Sequence, residues 1–195
     1  MEKKLSARDR ILQVAADLFY REGIRAVGID RIIAESGVAK ASFYRSFATK
    51  DDLVVAFLEV YHQRSIDRIE AARRNHPGQP GEQLRELFRG FAERIASPDY
   101  RGCPFMNTIV EFPDAEFPGH KRATESRREA WALITEMARE SGATDAAALA
   151  SQLEILYSGA VMTSYMYRTR AIGDQFYKAA LLLLKEHIPG FIERG

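Results

Sequence analysis

Along almost the whole chain apolar residues recur three and four positions apart, and nowhere is a period-two alternation sustained, so the pattern predicts helices and no strands. The first helix, residues 6–20, opens on Ser6 with Asp9 three residues later, a side-chain cap beside an acid at the positive end of the helix. Its stripe is Ile11, Leu12, Ala15, Leu18 and Phe19, and Gly23 supplies a left-handed stop. A second short helix, 29–36, buries Ile29, Ile32 and Ile33 and ends at Gly37. A third begins near Ala39, and Thr49 with Asp51 and Asp52 starts a long fourth helix that runs to about Arg74. The stretch "NHPGQPG" is the clearest break. Beyond it the periodicity gives helices at about 83–96, 104–112, 118–141, 145–170 and 174–187, with no repeat of fixed period and no low-complexity tract. The expected fold is all-α, with a three-helix N-terminal domain over residues 1–50 and a larger helical body over 51–195.

Residues 37–47, "GVAKASFYRSF", carry the chemistry. On a helix, Phe43 and Phe47 share one face with Val38 ahead of them, while Ala41, Ser42, Tyr44 and Arg45 occupy the other and Lys40 the first turn. Two short helices joined at Gly37 form a helix-turn-helix, whose second helix enters the major groove with its N-terminal residues at base edges. Ala41 and Ser42 are small enough for close approach: a methyl touches thymine, a hydroxyl pairs with several edges, and Lys40 suits guanine acceptors. Tyr44 and Lys50 are expected at phosphates, with Arg45 able to join them, and the amides at the start of the fourth helix suit an anionic oxygen. The competing description of the same residues is a solvated helix face.

Charge supports the division. Residues 1–50 hold four Lys and six Arg against six acids, a net +4, so the remainder carries −3 of a total of +1. A basic head on an acidic body fits a protein in which only the head meets phosphates.

"IIAESGVAKASFYRSFATKDDLV" resembles the DNA-binding signature of TetR-family transcriptional regulators, and the resemblance extends from Ser6 to about Leu58. It implies a helix-turn-helix head, a ligand-binding and dimerising body, and repression relieved by a small molecule. By position, Lys40, Ser42 and Tyr44 inherit DNA-facing roles and Lys50 a phosphate role. The chain departs from the family pattern at Gly28, where Thr is frequent, at Ala39, where a capping Ser is common, and at Ile33, where a small residue is frequent.

A palindromic operator needs two heads about 34 Å apart, so dimerisation belongs to the expected mechanism. The last two helices are the expected homodimer interface. Leu149, Leu153, Leu156, Ala160, Ser164 and Tyr167 form a stripe on one, and Phe176, Ala180, Leu183 and His187 a stripe on the other; both also describe an internal core. Candidate ligand-lining residues are Phe105, Met106, Ile109, Phe112, Trp131, Tyr157, Met162, Tyr165 and Met166, aromatic and thioether side chains suited to a mostly apolar effector and equally to plain core.

Other classes find little support. Glu59 and His62 have the spacing of a carboxylate-bridged metal pair, but no second pair exists, the four His lack zinc spacing, and no Gly-rich phosphate loop occurs. No catalytic residue, metal or cofactor is therefore expected, and the rival to a DNA-binding regulator is a helical partner-binding or scaffold protein. Cys103 is the single cysteine, at an expected helix N-terminus beside Arg101, a setting that suits either a reactive thiol or a buried inert one. The charged start "MEKKLSARDR" is unlike a signal peptide, and the longest apolar run, "AALLLL", is about a third of the ~20 residues needed to span a bilayer. The expected location is the cytoplasm.

Overall fold

The computed structural model describes residues 5–192. Glu2, Lys3 and Lys4, which count towards the basic head, lie outside the described residues. Nine helices and no strand occur among those described: α1 (Ala7–Glu22), α2 (Ile29–Ser36), α3 (Lys40–Ser46), α4 (Lys50–Asn75), α5 (Pro80–Ala96), α6 (Pro104–Glu111), α7 (Pro118–Glu140), α8 (Ala146–Tyr167) and α9 (Ala171–His187). The all-α architecture follows the periodicity closely. Three ends differ by three residues: α9 starts at Ala171 and not at 174, and α5 starts early because Pro80 takes the first helical position, where its missing N–H costs nothing. α8 stops at Tyr167 because Arg168 turns into the left-handed region at φ 50°, ψ 39°.

The chain forms two compact units that do not divide at residue 50. One takes Met1–His62 with Cys103–Arg127, the other Gln63–Gly102 with Arg128–Gly195. α4 and α7 each contribute a segment to both, so the first unit holds α6 as well as the three N-terminal helices.

In the first unit the predicted caps form. Ser6 and Asp9 make a reciprocal capping box, and Thr49 and Asp52 make another at α4. Ile11, Leu18, Phe19, Ile32, Phe43, Leu53, Phe57 and Leu58 are all at most 3% exposed, a core shared by α1 to α4. Phe57 meets Phe19 and Tyr61 edge-on at 5.6 and 5.1 Å, geometries that suit the ring quadrupole. Gly23 departs from expectation. Its φ of 93° and ψ of 155° fall outside the left-handed helical region, in territory open essentially to glycine alone.

In the second unit α5, α8 and α9 pack on one another, joined by Ile69 and Ala72 of α4 and by Trp131, Ile134 and Met137 of α7. Gly173 makes the α5–α9 crossing possible: a Cβ there would stand 2.5 Å from the Ala92 carbonyl oxygen. The stripes proposed above for dimerisation face inward. Leu149, Leu153, Ala160, Phe176 and Ala180 belong to this core, Leu156 and Leu183 pack on its edge, and Ser164 is buried. Tyr167, exposed at the end of α8, and His187, half-buried with its Nε2 3.0 Å from Gln152 Oε1, are the exceptions. The correction has a simple cause. Glu154 is the lone charged residue of α8, so the helix offers apolar stripes on more than one face and spacing alone does not say which is buried.

No helix among the described residues is long and apolar enough to cross a membrane.

Gly173→Ala should lower the stability of the second unit by about 1–3 kcal/mol through overpacking at the α5–α9 crossing. Gly90→Ala, within α5 where a Cβ meets nothing within 4 Å, should raise it by about 0.5–1 kcal/mol. Urea unfolding followed by circular dichroism at fixed protein concentration checks both signs.

Candidate nucleic-acid interface

Between α2 and α3 the chain reverses at Gly37, whose φ of 62° and ψ of 29° are left-handed and cost an L side chain about 1–2 kcal/mol. Val38, Phe43 and Phe47 then go inward and are 8, 0 and 2% exposed. Their burial fixes which face of α3 is left to solvent. Lys40, Ala41, Tyr44 and Arg45 are exposed there and Ser42 is half-buried. Neither Gly28 nor Ala39 provides a side-chain cap, so α2 and α3 begin with unsatisfied amides.

Several of these side chains are pre-positioned. Lys40 Nζ lies 3.3 Å from Asp30 Oδ1 of α2 in an exposed pair, which holds the ammonium beside the outer face of α3 at little energetic cost to release. Arg45 Nη2 donates to Ser42 Oγ at 2.8 Å, and Ser46 Oγ donates to the Ser42 carbonyl at 2.9 Å. Tyr44, 46% exposed, rests edge-on against buried Phe43 at 5.3 Å, leaving its hydroxyl end to solvent.

Two anchors escaped the sequence reading. Arg8 of α1 donates from Nη1 to the Ser46 carbonyl at 2.8 Å and lies 4.3 Å over the Phe47 ring, tying the end of α3 to α1. Glu111, the last residue of α6, accepts from the backbone N–H of Ile24, at 3.0 Å, and of Arg25. A Cβ on Gly23 would stand 3.5 Å from Oε1, in ordinary contact, so it is the positive φ of 93° and not a lack of space that calls for glycine beside this carboxylate. Arg25 completes the clasp by lying 4.7 Å over the Phe112 ring. No local pattern marks either anchor, since each partner lies tens of residues away.

Lys50 also differs from expectation. Its ammonium does not stand free at the surface: it donates to the Ile24 carbonyl at 2.6 Å and lies 5.9 Å from the Phe19 centroid. Burial pushes its pKa down, and nearby Glu111 and Asp51 partly oppose that shift. The start of α4 is less open to anions than its sequence implies, because Thr49 Oγ1 already accepts from the Asp52 amide. Between α1 and α2, Arg31 bridges Glu22 and Glu35; these hydrogen bonds hold the Glu22 carboxyl below its ordinary range.

The candidate ligand-lining residues are distributed over both units. Phe105 is buried in α6, with Met106 and Ile109 half-buried beside it, and Phe112 stacks on Phe117 at 4.3 Å. Trp131 and Tyr157 join Phe88, Phe91 and Phe176 in the aromatic core of the second unit. Met162, Tyr165 and Met166 are exposed on α8. Cys103 is buried at the N-cap of α6. Glu59 is engaged by Arg122 at 2.8 Å.

An all-helical chain with this helix-turn-helix geometry has the form of a DNA-binding regulator, and comparison with known proteins identifies the family. Residues 11–57 match the family described as bacterial regulatory proteins, tetR family, and residues 80–180 match the tetracyclin repressor-like C-terminal domain. A TetR-family transcriptional regulator from Streptomyces coelicolor is 34% identical, with a TM-score of 0.87 over 93% of this chain and 95% of that one. YxaF, an HTH-type transcriptional regulator of Bacillus subtilis, is 22% identical over all of this chain and 99% of its own length. The match to B. subtilis YezE, 26% identical, spans 52% of each chain. The chain belongs to the TetR family of transcriptional regulators, a family of regulators and not of enzymes.

A pH test isolates the Lys50 anchor. Its folded pKa lies below the ordinary 10.5, so in the window just under that value the unfolded chain holds more protons and stability rises with pH. The stability difference between the wild type and Lys50→Gln should therefore move in favour of the wild type as pH rises through that window. Urea unfolding at a series of alkaline pH values checks the slope.

Proposed function

We propose that the protein is a ligand-responsive repressor that binds a palindromic operator as a cytoplasmic homodimer and leaves it when a small, mostly apolar effector binds. The observation that carries this reading is the exposed face of α3, with Lys40, Ala41, Tyr44 and Arg45 opposite buried Phe43 and Phe47. Lys40 and Ala41 meet base edges with Ser42 behind them. Tyr44 and Arg45 position the helix on phosphates. Lys50 belongs to the support of this surface, given its bond to Ile24.

The dimer forms through the outer faces of α8 and α9. Ile155, Gly159, Met162 and Met166 follow one another at spacings of four, three and four along the exposed side of α8. Ile155, Met162 and Met166 are 70, 47 and 62% exposed, and Leu182 of α9 is 61% exposed. Side chains of this size left open on two neighbouring helices suit a self-complementary surface about a two-fold axis. Gly159 permits close approach of the paired backbones.

The effector acts through α6. Phe105, Met106 and Ile109 lie on the helix whose last residue, Glu111, holds the α1–α2 turn. A ligand that shifts α6 pulls that turn, and with it the entry into the helix-turn-helix. It releases DNA only to the extent that it binds the released state more tightly.

Selection from a random duplex library, followed by fluorescence anisotropy over a salt series, tests the DNA-binding reading. Affinity should fall linearly with salt on a log–log scale. Lys40→Ala should cost about 1–3 kcal/mol on the selected duplex and relax preference at one base pair in each half-site, whereas Arg45→Ala should weaken all duplexes alike and reduce the salt slope by about 1. A chain that enriches no duplex is not such a regulator.

Met162→Glu should convert the dimer to a monomer and lower duplex affinity, because a buried unpaired charge is costly. Light scattering after size exclusion reads the mass; a variant that stays dimeric places the interface elsewhere.

A further inference from the structure

The two ends of α3 are held unequally. At its start Ala39 gives no side-chain cap, and Lys40 is restrained by the exposed pair with Asp30 at 3.3 Å. At its end Arg8 Nη1 donates to the Ser46 carbonyl at 2.8 Å, and the same guanidinium lies 4.3 Å over the ring of Phe47, which is 2% exposed. A cation in this place also meets the negative end of the helix dipole. Arg8 stands on a fixed base. It belongs to the first turn of α1, inside the span of the Ser6–Asp9 capping box and one turn before the fully buried Ile11.

Anchored at one end, α3 behaves as a lever. Seven residues at about 1.5 Å each give it a length of about 10 Å, so a tilt of about 6° at the Ser46 end carries the Lys40 end by about 1 Å. Hydrogen bonds to base edges tolerate a spread of only about 0.5 Å in donor–acceptor distance. Attraction between an ammonium and a phosphate falls off slowly with distance and survives such a shift. A small loss of tilt control therefore costs base preference before it costs general affinity for duplex.

We propose that Arg8, without touching a base, determines the base preference of α3 by fixing its tilt; this rests on the reading of α3 as the helix that enters the major groove. Both of its contacts use the planar guanidinium, the edge for the Ser46 carbonyl and the face for the Phe47 ring. Lysine offers a point charge on a flexible stem, which reproduces the charge but neither the fork nor the stacked plane. Arg8 is thus a positioning residue, and its geometry rather than its charge carries the effect.

Fluorescence anisotropy with the full-length protein tests this, using the selected duplex and the same duplex changed at its most strongly preferred base pair. Arg8→Lys should lower the affinity ratio of the two duplexes roughly threefold or more, with the salt slope on the selected duplex and the helical circular dichroism at the assay temperature both unchanged. Arg8→Gln should lower the ratio as well, and it serves as the comparison where Arg8→Lys does not fold. An unchanged ratio overturns the proposal. With a lowered thermal midpoint that result makes Arg8 a support of the fold alone, and with a salt slope that falls in Arg8→Gln and returns in Arg8→Lys it makes Arg8 a phosphate contact. A ratio that falls only together with the helical signal overturns it too. A protein that enriches no duplex removes the regulator and this proposal together, whereas an enriched duplex with an unchanged ratio in the variants removes the proposal and leaves the regulator.

Discussion

The burial of Phe43 and Phe47 beneath α3 is the constraint on which the rest depends. A seven-residue helix is too short to persist in water by itself. Its orientation is set by two rings that are almost completely removed from solvent, and the rotation of the helix follows from where those rings must go. Once they are fixed, Lys40, Ala41, Tyr44 and Arg45 have no face left but the outer one. The same hydrophobic contact that stabilises the domain therefore presents its polar chemistry, and Arg8 strengthens the arrangement by joining the end of α3 to α1.

A second constraint acts on the turn before α2. The chain between α1 and α2 recruits Glu111 from α6 for the amides of Ile24 and Arg25, and Lys50 from α4 adds a second hydrogen bond to the Ile24 carbonyl, which also accepts from the Val27 N–H. Opposite charges thereby gather around one turn, and a helix distant in sequence becomes part of the same compact unit as the helix-turn-helix. Gly23 closes α1 with its N–H donating to the Phe19 carbonyl, at a φ of 93° that L side chains rarely adopt.

Most of the fold was legible because helix signals are local. The capping residues Ser6 and Thr49, the stop at Gly37 and the apolar spacing of α1 to α4 all act within a few residues of where they are written. The exposed face of α3 was legible for the same reason. What escaped were facts that depend on tertiary partners: the inward pull on Lys50, the reach of Glu111 across 86 and 87 residues, and the choice of buried face on α8. On α8 the helix is apolar nearly all round, so a spacing rule finds both the stripe that is core and the stripe that is open. Trp131 and Tyr157 carried the same ambiguity, since an aromatic suited to a ligand is suited to a core.

The central claim is that the outer face of α3 enters the major groove as one of a symmetric pair. Methylation interference with dimethyl sulfate on a bound duplex tests it most directly, since the reagent marks guanine N7 in the major groove and adenine N3 in the minor groove. The account predicts that guanine N7 methylation blocks binding in two half-sites whose centres lie one helical turn, about 34 Å, or a multiple of it apart. Interference confined to adenine N3, or a single unrepeated patch of guanines, would contradict it.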